Sequence, residues 1–202
     1  WRLRKRSGPD AALVNAMAHK DDQVRFYAAE SLAKAGRSQG LSVLLTSVEL
    51  LSDIGLRERA VNALGQLADQ RALDLLLRLA NDSEHALHNE AAEALGHMAD
   101  SEQAKQIFEL LQRAISSDDW ELRIHAIRGL RWYNSFDAWQ LIRNAVNSDD
   151  DEDVQECALK MLAHNDDPAP RTLLLKYLAT PRYYNDDCTT AALKSAKKLF
   201  ND

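Results

Sequence analysis

The stretch Leu87-His88-Asn89-Glu90-Ala91-Ala92-Glu93-Ala94-Leu95-Gly96-His97-Met98-Ala99-Asp100 decides the fold. Its apolar residues Leu87, Ala91, Leu95 and Met98 advance by four, four and three positions, which puts them on one face of a helix with 3.6 residues per turn. Asn89, Glu93 and His97 fall on the opposite face. Ala91, Ala92 and Ala94 cost almost nothing in helix propensity and leave a surface that a second helix can approach closely. One such helix cannot bury its own stripe, so it needs neighbours of the same kind.

Those neighbours are in the sequence. A frame of an acid, two residues, Val or Leu, a residue that is often Arg, then small residues and a Leu occurs five times. The copies are Asp21 with Val24, Arg25 and Leu32; Asp53 with Leu56, Arg57 and Leu64; Glu84 with Leu87, His88 and Leu95; Asp119 with Leu122, Arg123 and Leu130; and Asp151 with Val154, Gln155 and Leu162. The final leucines are 32, 31, 35 and 32 residues apart, and Ala28, Ala60, Ala91, Ala126 and Ala158 recur four positions after the Val or Leu. A period of that size indicates stacked helical hairpins. The acids stand where each helix begins, placed to accept from free backbone amides and to oppose the helix dipole.

A second apolar helix is expected after each frame helix, at residues 41–51, 72–80, 104–115, 138–146 and 172–178. Gly36, Asp69, Asp100, Asn134 and Asp166 supply the turns. Residues 11–18 read as a short helix opened by Gly8-Pro9-Asp10. At the other end Thr180-Pro181 stops a helix, and residues 188–200, with Lys194, Lys197 and Lys198, read as a charged cap. The expected organisation is one domain over residues 1–202 with repeats 21–51, 52–80, 81–115, 116–146 and 147–179. Because residue 1 is Trp and not Met, the chain is expected to be a piece of something longer.

Composition narrows the function. The formal net charge is −6, which opposes tight binding to a phosphate backbone. No apolar run approaches the roughly 20 residues of a membrane-spanning helix. Cys157 and Cys188 lack zinc-site or disulfide spacing, and their simplest reading as thiols in a reducing compartment gives a cytoplasmic expectation. The acidic run Asp149-Asp150-Asp151-Glu152-Asp153 lacks the spacing and glycine of a calcium loop.

With Val24-Arg25, Ala28-Ala29 and Leu32, and with Glu90-Ala91-Ala92-Glu93-Ala94-Leu95-Gly96, the chain resembles the HEAT-repeat superfamily, in particular the short-repeat branch also found in phycobilin lyase subunits. The resemblance covers roughly residues 10–200. It implies an all-α, right-handed α-α superhelix, a HEAT-like solenoid of about five hairpins with partial terminal caps. It also implies a ladder of acid and Arg positions along the stack, kept at Arg25, Arg57 and Arg123 and interrupted at His88 and Gln155.

The same repeat serves scaffolds, lyase subunits, a hydroxylase and DNA glycosylases, so function has to come from residues. The hydroxylase type carries His-Glu pairs, whereas the equivalent pairs here are Phe26-Tyr27, Glu58-Arg59, Asn89-Glu90, Ile124-His125 and Glu156-Cys157. His85 and His88 lie three apart, but no third ligand converges with them in the sequence pattern. Trp120, Trp132, Trp139 and Asp137 permit a base-extruding DNA glycosylase, which the acidic balance opposes.

The reading that remains is a non-catalytic protein-interaction or scaffolding module, with no cofactor and no metal. It would bind a protein or peptide on a concave face lined by the second helices. The partner-binding residues expected there are Arg71, Asp74, Arg78, Glu109, Arg113, Gln140, Arg143 and Asn144, with Trp139 as an aromatic anchor. A phycobilin lyase-like enzyme subunit is the alternative, and a DNA-binding or DNA glycosylase protein the lower one.

Overall fold

The structure is a computed structural model that describes residues 8–162. Among the described residues the regular structure is helical: α1 (Gly8–Ala16), α2 (Asp22–Lys34), α3 (Leu41–Leu50), α4 (Ile54–Leu67), α5 (Leu73–Ala80), α6 (His88–Gly96), α7 (Ala104–Ala114), α8 (Trp120–Leu130), α9 (Phe136–Ser148) and α10 (Glu152–Leu162). The fold is an α-solenoid of helical hairpins, with frame helices α2, α4, α6, α8 and α10 alternating with α3, α5, α7 and α9. The expected helices at 172–178 and 188–200, and Asp166, Thr180, Pro181 and Cys188, lie outside the described residues.

The frame helices start where their acids cap them. Asp21 accepts from the Gln23 and Val24 amides at 2.8 and 3.4 Å. Asp53 accepts from Leu56 at 3.0 Å, Asp119 from Glu121 at 2.9 Å, and Asp151 from Asp153 and Val154 at 2.9 and 3.3 Å. These bonds satisfy amides that have no partner inside the helix. Glu84 does not do this, contrary to the reading of the frame. Helix α6 begins at His88, with Leu87 at its N-cap and no side-chain cap bond. The seven residues between α5 and α6 wind into turns of their own, closed by His85 N–H to Asp82 O at 3.0 Å and His88 N–H to His85 O at 2.9 Å. Glu84 is carried onto the exposed surface.

The repeating leucines Leu32, Leu64, Leu95, Leu130 and Leu162 are fully buried. The recurring alanines Ala28, Ala60, Ala91, Ala126 and Ala158 are buried with them. Contacts divide the chain into two compact units, Trp1–Glu102 and Gln103–Asp202; the boundary falls between α6 and α7, inside the stretch expected as the third repeat. In the first unit α2 packs on α4 and α4 on α6, while α3 and α5 share no extensive contact. The second unit repeats this, with α8 packed on α10.

Small residues are what bring the frame helices together. A Cβ added at Gly65 would sit 2.8 Å from the Ala94 Cα, so α4 and α6 approach almost backbone to backbone there. Gly40, just before α3, comes equally close to Ala29 on α2, an added Cβ there lying 2.8 Å from the Ala29 Cα.

Candidate partner-binding surface

The fifth position of the frame repeats one task in all five copies. Arg25 donates to the carbonyls of His19 and Lys20 at 2.8 and 3.1 Å. Arg57 Nε reaches Val48 O at 2.7 Å. Arg123 Nη1 reaches Ser117 O and Asp118 O at 2.9 and 3.2 Å. The two positions where the ladder was expected to break do the same work with smaller side chains. His88 Nδ1 lies 3.4 Å from Leu79 O, and Gln155 Nε2 donates to Asp149 O at 2.7 Å. Each side chain ties a carbonyl left over near the end of one helix to the start of the next, so these residues hold the stack and are not free to bind a partner. Arg123 also holds Asp149 through two bonds, at 3.0 and 2.9 Å, and Asp150 at 3.0 Å.

Of the residues expected to bind a partner, Arg71, Asp74 and Arg78 lie in the first unit. Arg71 is exposed, and its guanidinium grips Asp69 at 2.9 and 2.7 Å. That hydrogen bond holds the Asp69 carboxyl below the usual carboxylate range, against the opposing effect of its burial. Arg78 on α5 reaches Glu49 on α3 at 2.9 Å, a bridge between two helices that otherwise hardly touch. Asp74 is exposed one turn earlier on α5.

The others lie in the second unit. Glu109 and Arg113 are exposed on α7, with Lys105 4.0 Å from Glu109. On α9, Asn144 is exposed, and Trp139, Gln140 and Arg143 are half-buried. The Trp139 Nε1 and Arg143 Nε atoms are enclosed without an acceptor among the described residues. Trp120 opens α8 and Trp132 follows its end, so they stand about 18 Å apart along the axis at the usual rise per residue.

Sequence reading missed a group on the frame helices of the first unit. The Glu30 carboxylate on α2, 8% exposed, takes Arg59 Nε and Nη2 from α4 at 3.0 and 2.6 Å and Lys34 Nζ at 3.1 Å. Burial works to raise the Glu30 carboxyl, but the hydrogen bonds from Arg59 and Lys34 outweigh it and hold it below its ordinary value. The same hydrogen bond raises Arg59. The guanidinium lies over the rings of Phe26 and Tyr27, 5.4 and 5.2 Å from their centroids. Phe26 is buried, whereas Tyr27 is 44% exposed and the Arg59 side chain 43% exposed. A signal was present: Tyr27, Arg59 and Glu90 each stand three positions after the frame's Val24, Leu56 and Leu87, and one row of the stack is what they share.

In the second unit Tyr133 donates its hydroxyl to Ala104 O at 2.8 Å and meets Phe108 edge to face, 5.3 Å between centroids. Burial pushes its phenol far up, and the ring locks the α8–α9 turn onto α7. Trp132 and Phe136 in that turn remain exposed. His85 accepts from the Leu87 amide at 3.1 Å, so with His88 it is engaged with backbone. Among the described residues no group of three or more His, Cys, Asp or Glu could hold a metal ion, and no helix is long and apolar enough to cross a membrane.

This architecture is shared with known proteins. The pattern of HEAT repeats matches residues 48–109 and 107–197. The bilin biosynthesis protein PecF of Nostoc sp. (strain PCC 7120) is 26% identical over 153 residues, covering 71% of this chain and 88% of that protein. Among solved structures, the complex of CpcE and CpcF of phycocyanin lyase from Nostoc sp. PCC7120 superposes with a TM-score of 0.50 at 16% identity, over 98% of each chain. An engineered protein superposes with a TM-score of 0.48 at 20% identity, over 94% of this chain and 96% of that one.

Proposed function

The chain belongs to the HEAT-repeat family, and from that premise we propose that it is a protein- or peptide-binding module without chemistry of its own, working as one part of a larger assembly. The observation that carries this reading is that exposed cations of the stack are paired with acids on neighbouring helices. Arg59 is fixed by Glu30 across α2 and α4, and Arg78 is bridged to Glu49 across α3 and α5. Polar groups already held in place lose less entropy on binding than free ones, and an open layered surface suits an extended partner.

The second-helix residues Arg71, Asp74, Arg78, Glu109, Arg113, Trp139, Gln140, Arg143 and Asn144 remain the proposed contact set of that layer. Reversing charge at Arg78 and Arg113 removes the capture of protein partners while the melting temperature stays nearly unchanged, since exposed ion pairs contribute little. An unaltered set of captured proteins in a pull-down with the double variant would count against that layer as a binding face.

A second reading is favoured by the likeness to PecF: a phycobilin lyase-like subunit that acts on a bilin together with a partner chain. The purified protein then shifts the visible absorbance of an added bilin in a saturable way. A flat titration, with and without a candidate partner subunit, removes this reading and leaves the first.

A further inference from the structure

The turn that leads into α6 is built around one imidazole. We propose that His85 makes this turn a pH-responsive joint: an unprotonated ring closes residues 81–88 on the Leu87 amide, and protonation opens them while His88 keeps α6 tied to α5. The joint works in the same way whether or not the binding reading above holds.

Three observations converge on it. The first is the direction of the bond at His85. The Leu87 N–H donates to His85 Nδ1 at 3.1 Å, so that nitrogen holds a lone pair and the proton of the neutral ring sits on Nε2. In the imidazolium both nitrogens are donors, and the Leu87 amide then meets an N–H in place of an acceptor. The second is the opposite role of His88. Its Nδ1 lies 3.4 Å from Leu79 O, and a carbonyl only accepts, so this nitrogen carries a proton in the neutral and the charged ring alike. Acid therefore breaks one of the two contacts and spares the other.

The third is that α6 has no substitute for the lost bond. The residue two places before the N-cap does the same task in three other copies: His19 Nδ1 takes the Asp21 amide at 3.1 Å, Ser117 Oγ the Asp119 amide at 3.2 Å and Asp149 Oδ1 the Asp151 amide at 3.0 Å. In those copies the N-cap is an aspartate whose own carboxylate also holds the helix start. At α6 the N-cap is Leu87, which makes no side-chain cap bond. His85 further closes the turn through its backbone, with its N–H on Asp82 O and its carbonyl on the His88 N–H, so one residue holds the entry to the helix.

Histidine is the side chain that ordinarily changes charge between about pH 5 and 8. Asp82 and Glu84 share the turn with His85, and His88 and Glu90 open α6. The helices packed on α6 add Arg57, Glu58 and Arg59 on α4 and Asp74 and Arg78 on α5. Their fields set the pH at which the bond is lost. The lone pair sets the direction: the bond is present on the alkaline side and lost on the acid side.

The test follows backbone amides of the intact chain, labelled with nitrogen-15, between about pH 8 and about pH 5, with exchange rates corrected for the intrinsic pH dependence of each amide. In the wild type the protection of the Leu87 amide falls about ten-fold towards acid, the weight of one hydrogen bond, and its shift moves in step with the His85 ring signals. The Asp119 amide, held by the Ser117 hydroxyl, keeps its protection. His85→Asn supplies an acceptor without a titrating ring and keeps Leu87 protected at both ends of the range, whereas His85→Ala leaves it unprotected throughout. If a substituted chain does not fold, the wild-type titration decides, because the His85 and His88 rings are followed separately. The proposal is overturned by a Leu87 amide whose wild-type protection is constant with pH, by an acid loss that persists in folded His85→Asn, or by a Leu87 transition that follows the His88 ring.

Discussion

Glu30 is the residue whose chemistry is most at odds with its position in the sequence. It sits in the run Ala28-Ala29-Glu30-Ser31-Leu32, on a helix that is otherwise apolar there, and it is buried together with Ala29 and Leu32. A buried charge is tolerated when it is paired and hydrogen-bonded, and Arg59 and Lys34 supply that. The lowered Glu30 value has a defined consequence for stability. A carboxylate depressed in the folded state stabilises the fold above its unfolded value, and that contribution is lost as pH falls through the lowered folded value. Urea unfolding of wild type and Glu30→Gln from neutral pH into the acid range shows the gap between them closing as pH drops. A gap that is constant with pH contradicts the pairing. His88 and Gln155 teach a related lesson, because neither carries the permanent charge of the Arg it replaces, yet both reach a carbonyl near the end of the preceding helix. At those rungs the stack requires a donor, and the positive charge is dispensable.

At the scale of the helix, the start signals separate the true caps from the apparent one. Asp119 closes the first turn of α8 by accepting from Glu121, so Asp119→Ala costs about 1 kcal/mol. Glu84→Ala, in the exposed turn before α6, changes stability by less than about 0.5 kcal/mol. Chemical denaturation of the two variants checks the pair, and a loss at Glu84 equal to that at Asp119 contradicts the structure. Among the described residues two turns enter the left-handed region: Gly36 after α2 has φ 68° and Ala68 after α4 has φ 48°. Glycine adopts that conformation freely, whereas alanine meets a steric cost of about 1–2 kcal/mol there. The α4–α5 turn therefore forms with a strain that the α2–α3 turn avoids.

At the scale of the whole chain, stability is assembled between neighbours. Gly65 is the tightest test of this, because an added methyl would meet the Ala94 backbone and side chain at 2.8 Å. Gly65→Ala destabilises by about 1–3 kcal/mol, the usual range for overpacking. The damage is local in a repeat array, where each hairpin contacts its neighbours. Amide hydrogen exchange therefore accelerates in α4 and α6 while α8 and α10 keep their protection; uniform acceleration along the chain would contradict nearest-neighbour assembly. In the first unit Tyr27 and Arg59 stand on the frame helices α2 and α4, and Asp74 and Arg78 on α5.

The period, the buried leucines and alanines, four of the five caps and the approximate positions of the described helices other than the start of α6 were legible in the amino-acid order, because each depends on spacings within one or two turns of helix or on the recurrence of one such frame every 31–35 residues. The late start of α6 was not, since lining up five frames assumes that the connections before them are equally long. The Glu30–Arg59 pair and its rings were missed as well: the frame position that Tyr27 and Arg59 share hints at one row, but the pair joins residues 29 positions apart, on neighbouring frame helices. The sequence by itself determined that helices would stack and which residues would glue them. Only the tertiary structure decided where two frame helices would touch almost backbone to backbone, at Gly65 and Ala94, and which side chains of neighbouring helices would meet, as Glu30 and Arg59 do, because both depend on how closely the helices approach in space.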